Sequence, residues 1–298
     1  MEPLPELLHH VLNVILPVLL CIGVGVLLAR IDAPFDRKSL SKLVQTVGYP
    51  ALIVSHISEG HVAVQAFAVM AAAAASAVLA FVLIGGAFLL LVRLPLRAFI
   101  APMSLNNTGN IGLPVAMLAY GDAGLSYAFA FMVVVLLGIF TYGSWVPRGE
   151  VSLRTVLTSP VLYAIAIALT MLGLGLHLPQ PLAPAFDILG GLVVPLLLLL
   201  LGHTLAGLDR RGLGIGTLLA LCHLAIGAGV GFGLAWAFGF TGTERGVFIL
   251  MAMMPVSVAT YLFVEQYQPE QAPKAAGFIM ASTVLTFVAL PVVMAFGI

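Results

Sequence analysis

The chain has 298 residues, of which 61% are hydrophobic and only 8% charged, and its formal net charge is zero. Globular chains carry roughly 25% charged residues, so the composition excludes a soluble enzyme and points to an integral membrane protein. No basic run is present to hold nucleic acid, and Cys21 and Cys222 lie inside apolar spans as packing residues, not as a disulfide framework.

Ten apolar spans follow one another at 7–29, 39–58, 63–92, 97–120, 123–146, 153–175, 185–207, 213–238, 244–267 and 274–297. Each is near the ~20 residues that a helix needs to cross a bilayer. The first, Leu7 to Ala29, is too long for a signal-peptide core and has no basic residue ahead of it, so it is expected to be retained. The connections are short. Of the twelve Lys and Arg residues, eleven flank odd-numbered connections: Arg30, Arg37, Lys38 and Lys42 the first, Arg93 and Arg97 the third, Arg148 and Arg154 the fifth, Arg210 and Arg211 the seventh, and Lys274 the ninth. Arg245 alone falls on the other side. Basic residues stay cytoplasmic, so a multi-pass protein of the cell membrane with both termini extracytoplasmic is expected.

The fourth span carries Asn106-Asn107-Thr108-Gly109-Asn110-Ile111-Gly112-Leu113-Pro114 in otherwise apolar sequence. A proline donates nothing and clashes with the carbonyl four residues back, so a helix must break here. Broken backbone survives in hydrocarbon only where it is buried in protein or lines a wet cavity. Nine residues separate Arg97 from Asn106, ~13 Å of helix. That is close to half of a ~30 Å hydrocarbon core.

The ninth span repeats the pattern. Ten residues after Arg245 comes Met254-Pro255-Val256-Ser257, and the second and seventh spans match through Tyr49-Pro50 and Val194-Pro195. Five spans per half insert the second half upside down, and paired breaks in inverted halves mark a transporter's binding site. The expected architecture is therefore all-α: ten transmembrane helices as two inverted five-helix repeats, 1–146 and 153–298, with crossing broken helices 4 and 9.

Half-helices that start near Pro114 and Pro255 present unpaired N–H groups and about half a positive charge each. Converging in a low-dielectric cavity, they favour an anion. Pro114 suits a first helical turn, Thr108 and Asn110 suit capping, and Ser257 lies just inside the other helix. The amides of Asn106, Asn107 and Asn110 either orient a carboxylate or satisfy the unwound backbone. Gly109 and Gly112 allow close approach or positive φ. Thr260 and Tyr261, about one turn further on, complete the substrate-site candidates.

Every Asp and Glu lies outside the spans or near their ends, so no buried carboxylate offers a proton relay. His223 is the one titratable side chain near mid-depth and the candidate for ion coupling, with a bond to a neighbouring helix as its other reading. His56 and His203 are read as structural. No catalytic signature, metal-ligand spacing or cofactor motif is present. The run Gly227-Ala228-Gly229-Val230-Gly231-Phe232-Gly233 reads as a close-packed helix face.

At Asn107-Thr108-Gly109-Asn110-Ile111-Gly112-Leu113-Pro114, with Ala119-Tyr120-Gly121, the sequence resembles the auxin efflux carrier family of membrane transporters. Met254-Pro255-Val256-Ser257-Val258-Ala259, Glu265-Gln266-Tyr267, Ser282-Thr283 and Leu290-Pro291 look like that family's C-terminal pattern. The resemblance implies crossing broken fourth and ninth helices in a fold similar to that of the bile acid:sodium symporters. It also implies an elevator-like movement of the crossing-helix unit against a scaffold that includes helices 2 and 7. Family substrates are organic anions, auxin in plants and malonate or other small carboxylates in bacterial members. Only Pro147 to Ser152 joins the halves here, without the long loop of many plant members, which points to the compact bacterial type.

The expected function is secondary active transport of a small mono- or dicarboxylate. A carrier of a neutral or cationic solute, a sodium-coupled carrier of the bile-acid-symporter type, and a channel or receptor using the same crossed site are the alternatives. The sequence leaves open the coupling ion (Na+, H+ or none), the direction of transport and whether the protein forms a homodimer.

Overall fold

The computed structural model describes residues 4–58, 63–152, 157–208 and 211–296. Arg154, Arg210 and the start of the sixth span, 153–156, lie outside the described residues. The described chain is helical, with no β-strand among those residues. In order come α1 (Leu4–Arg30), α2 (Arg37–Leu43), α3 (Tyr49–Ser58), α4 (Val64–Leu91), α5 (Leu96–Ser104) and α6 (Leu113–Phe140). Then follow α7 (Tyr142–Arg148), α8 (Pro160–Leu174), α9 (Ala183–Gly191), α10 (Val193–Gly207), α11 (Leu213–Ala237), α12 (Gly242–Ala252), α13 (Val258–Tyr267) and α14 (Ala272–Phe296).

Among the described residues, six helical runs are long and apolar enough to cross a membrane: 13–30, 64–91, 108–148, 183–207, 213–237 and 269–294. The protein is a multi-pass membrane protein. The run 108–148 is longer than one crossing needs, and backbone geometry divides it. Gly121, at φ 63° and ψ −152°, kinks α6 between the predicted fourth and fifth spans. Only glycine adopts such a conformation without strain. The second span is less regular than expected, because a π-helical segment, Val44–Gly48, joins α2 to α3.

Local chemistry places the helix starts. Asp36 caps α2, accepting from the Lys38 amide at 3.0 Å and the Ser39 hydroxyl at 2.5 Å. Those donors hold its carboxyl below the ordinary value of 3.8. Pro114 and Pro160 occupy the first turns of α6 and α8, where a missing N–H costs nothing.

The helices pack in two groups. In the first, α1 lies against α10, and α3 against α8 and α9. In the second, α11 lies against α14, and α4 packs against α5, α6 and α11. The seam between the groups runs from α1 to α6 and α14, and from α10 to residues 108–112. Large buried aromatics fill the second group, with the Phe131 and Phe248 rings 5.6 Å apart.

The tightest helix pairs cross at small residues, as expected where no hydrophobic effect drives helices together in lipid. Gly25 of α1 faces the Leu199 carbonyl, Gly202 of α10 faces the Ile22 carbonyl, and Gly216 of α11 lies on Gly277 of α14. In each case the neighbour is backbone and has no rotamer to yield. Gly202→Ala is therefore expected to cost about 1–3 kcal/mol through overpacking. Thermal unfolding in detergent would show it as a lowered midpoint, and an unchanged midpoint would mean that α1 and α10 sit further apart.

Basic residues gather at one end. The Arg97 guanidinium donates to the Arg148 carbonyl at 3.1 Å, Gln268 donates to the Pro147 carbonyl at 3.0 Å, and the Arg148 guanidinium lies 5.9 Å from the centre of the Tyr267 ring. Another end of α3 is tied differently. Ser55 donates to Asp187, and the Ser58 carbonyl lies 2.5 Å from His177 Nδ1. His56 Nε2 lies 3.1 Å from Ser126 Oγ.

Candidate functional site: two broken helices paired at the floor of a cavity

The helix α5 stops at Ser104, and the chain continues extended through Leu105 before a π-helical turn at Thr108–Gly112 leads into α6. Likewise α12 stops at Ala252, and α13 starts at Val258. The two gaps lie side by side. Asn106 and Val256 form an isolated antiparallel bridge. The Asn107 amide donates to the Pro255 carbonyl at 2.6 Å, and the Ser257 amide donates to the Leu105 carbonyl at 3.1 Å. Each break supplies the backbone partners that the other has lost, which is how unwound chain meets its hydrogen-bonding requirement away from water.

Side chains complete the accounting. Asn106 Nδ2 donates to the Met251 and Ala252 carbonyls, at 3.2 and 2.7 Å. His223 of α11 sets Nδ1 3.1 Å from the Met103 carbonyl and Nε2 3.1 Å from the Met254 carbonyl. Thr286 Oγ1 donates to the Met253 carbonyl at 3.3 Å, and Ser282 Oγ accepts from the Val256 amide at 3.3 Å. The carbonyl-rich ends of α5 and α12 are thus met by donors, while the N-terminal ends of α6 and α13 remain the electropositive elements of the crossing.

In front of the crossing is a cavity of about 710 Å³. Its floor is Asn106, Asn107, Thr108, Gly109 and Asn110 from one break, with Ser257, Val258 and Ala259 from the other. Leu136, Ile139 and Phe140 of α6 face Leu197, Leu200 and Leu201 of α10 across it. At its mouth stand Arg37, Lys38 and Lys42, with Asp36 and Glu265; Glu265 accepts from the Tyr261 hydroxyl at 2.8 Å. The mouth is charged and the floor is neutral but polar.

The floor holds two unsatisfied groups. Asn107 Oδ1 accepts from the Asn110 amide at 3.3 Å, which fixes its orientation and leaves Nδ2 buried without a partner. The paired Nδ2 of Asn106 leaves Oδ1 buried and unpartnered in the same way. Leaving a buried donor or acceptor unmade costs roughly 1–3 kcal/mol.

Of the sequence-derived candidates, Asn106, Asn107, Thr108, Gly109, Asn110, Ser257 and Tyr261 line this cavity, and Gly112, Pro114, Pro255 and Thr260 do not. Gly112 lies where a Cβ would come 2.7 Å from Met251 Sδ, so it serves close packing, and its φ of −60° is ordinary. Pro255 supplies its carbonyl to Asn107, and Thr260 donates to the Ser257 carbonyl at 2.6 Å. Capping differs from expectation too. The π turn adds a residue ahead of α6, so the capping role moves upstream from Thr108 and Asn110 to Asn107.

His223 is 1% exposed and lies outside the cavity lining, between the rings of Phe81 and Phe278. Its geometry is that of a clamp joining both breaks from behind. The glycine run on α11 is only partly a packing face: Gly227 and Gly231 meet α12, whereas Gly229 and Gly233 have open space beside them. Sequence reasoning missed Tyr49 and the basic mouth as lining residues. In the sequence Tyr49-Pro50 stands out only as a marker of the repeat, and the convergence of α2 on the crossing depends on tertiary packing. Among the described residues no cluster of His, Cys, Asp or Glu is placed to hold a metal ion.

Residues 10–150, which contain the first break, match the family model described as membrane transport protein. No curated protein matches the chain. With the Asn107–Pro114 motif forming one half of the paired breaks, the matched part of the chain, residues 10–150, belongs with this membrane transport protein family, that of the auxin efflux carriers.

Proposed function

We propose that the protein is a secondary active transporter of a small organic anion, a mono- or dicarboxylate such as malonate, bound where the two broken helices meet. The observation that carries this reading is the unpaired Asn107 Nδ2 at the polar floor of an open-mouthed cavity flanked by two helix N-termini. Carboxylate chemistry suits a donor-rich, uncharged floor in low dielectric. The three cations at the mouth would raise the local concentration of an anion.

On this reading the chain crosses the membrane ten times as two inverted five-helix repeats, 1–146 and 153–298, with both termini extracytoplasmic. The correspondence of α5 and α12, each ending in a gap before a second half-helix, supports the repeat. Transport is of the elevator type: the helix group that carries the crossing moves against the group of α1, α3 and α8–α10. The division of the packing along one seam supports it. The cavity opens toward the basic end, which the positive-inside rule makes cytoplasmic.

A neutral solute is the second reading, because the unpaired Asn106 Oδ1 is an acceptor and calls for a donor. Competition for uptake into proteoliposomes by malonate, lactate and amino acids, at two sodium concentrations and two pH values, separates these readings and identifies the coupling ion. The expected result is saturable uptake inhibited by small carboxylates. Conductance without saturation would mean a channel, and inhibition by uncharged solutes alone would remove the anion reading.

A further inference from the structure

Tyr49 is the first residue of α3 and belongs to the helix group across the seam from the crossing. It is 6% exposed and lines the cavity. Its hydroxyl lies 3.4 Å from Asn110 Oδ1, a long hydrogen bond. The same oxygen sits 2.6 Å from where a Cβ on Gly109 would be. The ring therefore rests directly on the unwound floor, in space that only a glycine at 109 leaves.

A buried hydroxyl must place its proton on an acceptor, and Asn110 Oδ1 is the acceptor within reach. An amide whose oxygen is taken presents its NH2 group to whatever else is near. The backbone N–H of Asn110 already fixes the Asn107 amide in the equivalent sense, with Oδ1 occupied and Nδ2 unpaired. Two neighbouring amides thus show donors, and each does so because another group holds its oxygen.

We propose that Tyr49 is the positioning residue that sets the charge selectivity of the cavity: by occupying Asn110 Oδ1 it presents the Asn110 NH2 beside Asn107 Nδ2, a pair of donors that fits the two oxygens of a carboxylate and rejects the corresponding amide. The inference rests on the anion-carrier reading above and adds to it the source of discrimination. Without the hydroxyl the Asn110 amide is free to turn, and a turned amide offers an oxygen to the incoming carboxylate. Charged and neutral ligands would then be affected in opposite directions.

The test uses the full chain in detergent or nanodiscs. Ligand-dependent thermal stabilisation is titrated with malonate and lactate, and with malonamide and lactamide, at constant ionic strength. The wild type is expected to bind the carboxylates more tightly than the amides. Tyr49→Phe keeps the ring and removes only the hydroxyl, and it is expected to weaken carboxylate binding about tenfold while amide binding holds or improves. Asn110→Asp keeps the acceptor for Tyr49 but replaces the donor with a second oxygen, and it is expected to abolish carboxylate binding. An unchanged carboxylate-to-amide ratio in Tyr49→Phe, an equal loss for both ligand types, or full carboxylate binding by Asn110→Asp each overturns the assignment to Tyr49 while leaving the anion reading in place. A wild type that responds to no carboxylate overturns both.

Discussion

Replacing Asn107 by Ala is expected to reduce carboxylate transport by roughly 10- to 100-fold, the consequence of losing one hydrogen bond of about 1.5–3 kcal/mol to a charged group. The residue has two roles. Its Oδ1 caps the turn into α6 by accepting from the Asn110 amide, and its Nδ2 is the buried donor without a partner. Ala removes both. Ser is a good capping residue but cannot extend an amide donor into the cavity. Asn107→Ser should therefore keep most of the thermal stability that Asn107→Ala loses, yet transport as poorly. Uptake into proteoliposomes, read beside the unfolding midpoint, separates the roles. If Asn107→Ser transports normally, the amide nitrogen does not touch the solute, and the floor of the cavity is structural only.

The second large effect concerns His223. His223→Leu is expected to lower stability by roughly 1–3 kcal/mol, since a neutral imidazole carries one N–H and whichever of the buried Met103 and Met254 carbonyls receives it loses its donor. The side chain is buried out of reach of bulk solvent. The loss should appear as a lowered unfolding midpoint in detergent without any change in which solutes compete. The alternative, a coupling role, predicts something else: a variant that folds but whose uptake no longer depends on pH. A stable His223→Leu protein with a flattened pH profile would replace the clamp by a coupling function.

Both arguments rest on residues that the sequence singled out, but for different reasons than their neighbours in space supply. Asn107 and His223 are visible in the sequence because a polar side chain within an apolar span is costly, so each implies a partner. The partners themselves, the Pro255 carbonyl at 2.6 Å from the Asn107 amide and the Met254 carbonyl at 3.1 Å from His223 Nε2, are more than thirty or a hundred residues away in the chain. Nothing local forecasts them. The same limit explains why Tyr49 and the basic mouth were overlooked. Tyrosine inside an apolar helix reads as packing until the tertiary structure sets its hydroxyl against Gly109.

By itself the amino-acid sequence determined that the chain is a helical membrane protein and where its helices fail. Hydrocarbon admits little besides apolar helices, and proline, glycine and clustered amides cannot continue one. It also determined that the floor of the site carries no ionised side chain. Only the tertiary structure decided that the two failures meet, which amides have their oxygens occupied, and which face of the crossing opens into a cavity. Those outcomes depend on contacts between residues some 150 positions apart, where hydrogen bonds lost by one chain are restored by the other.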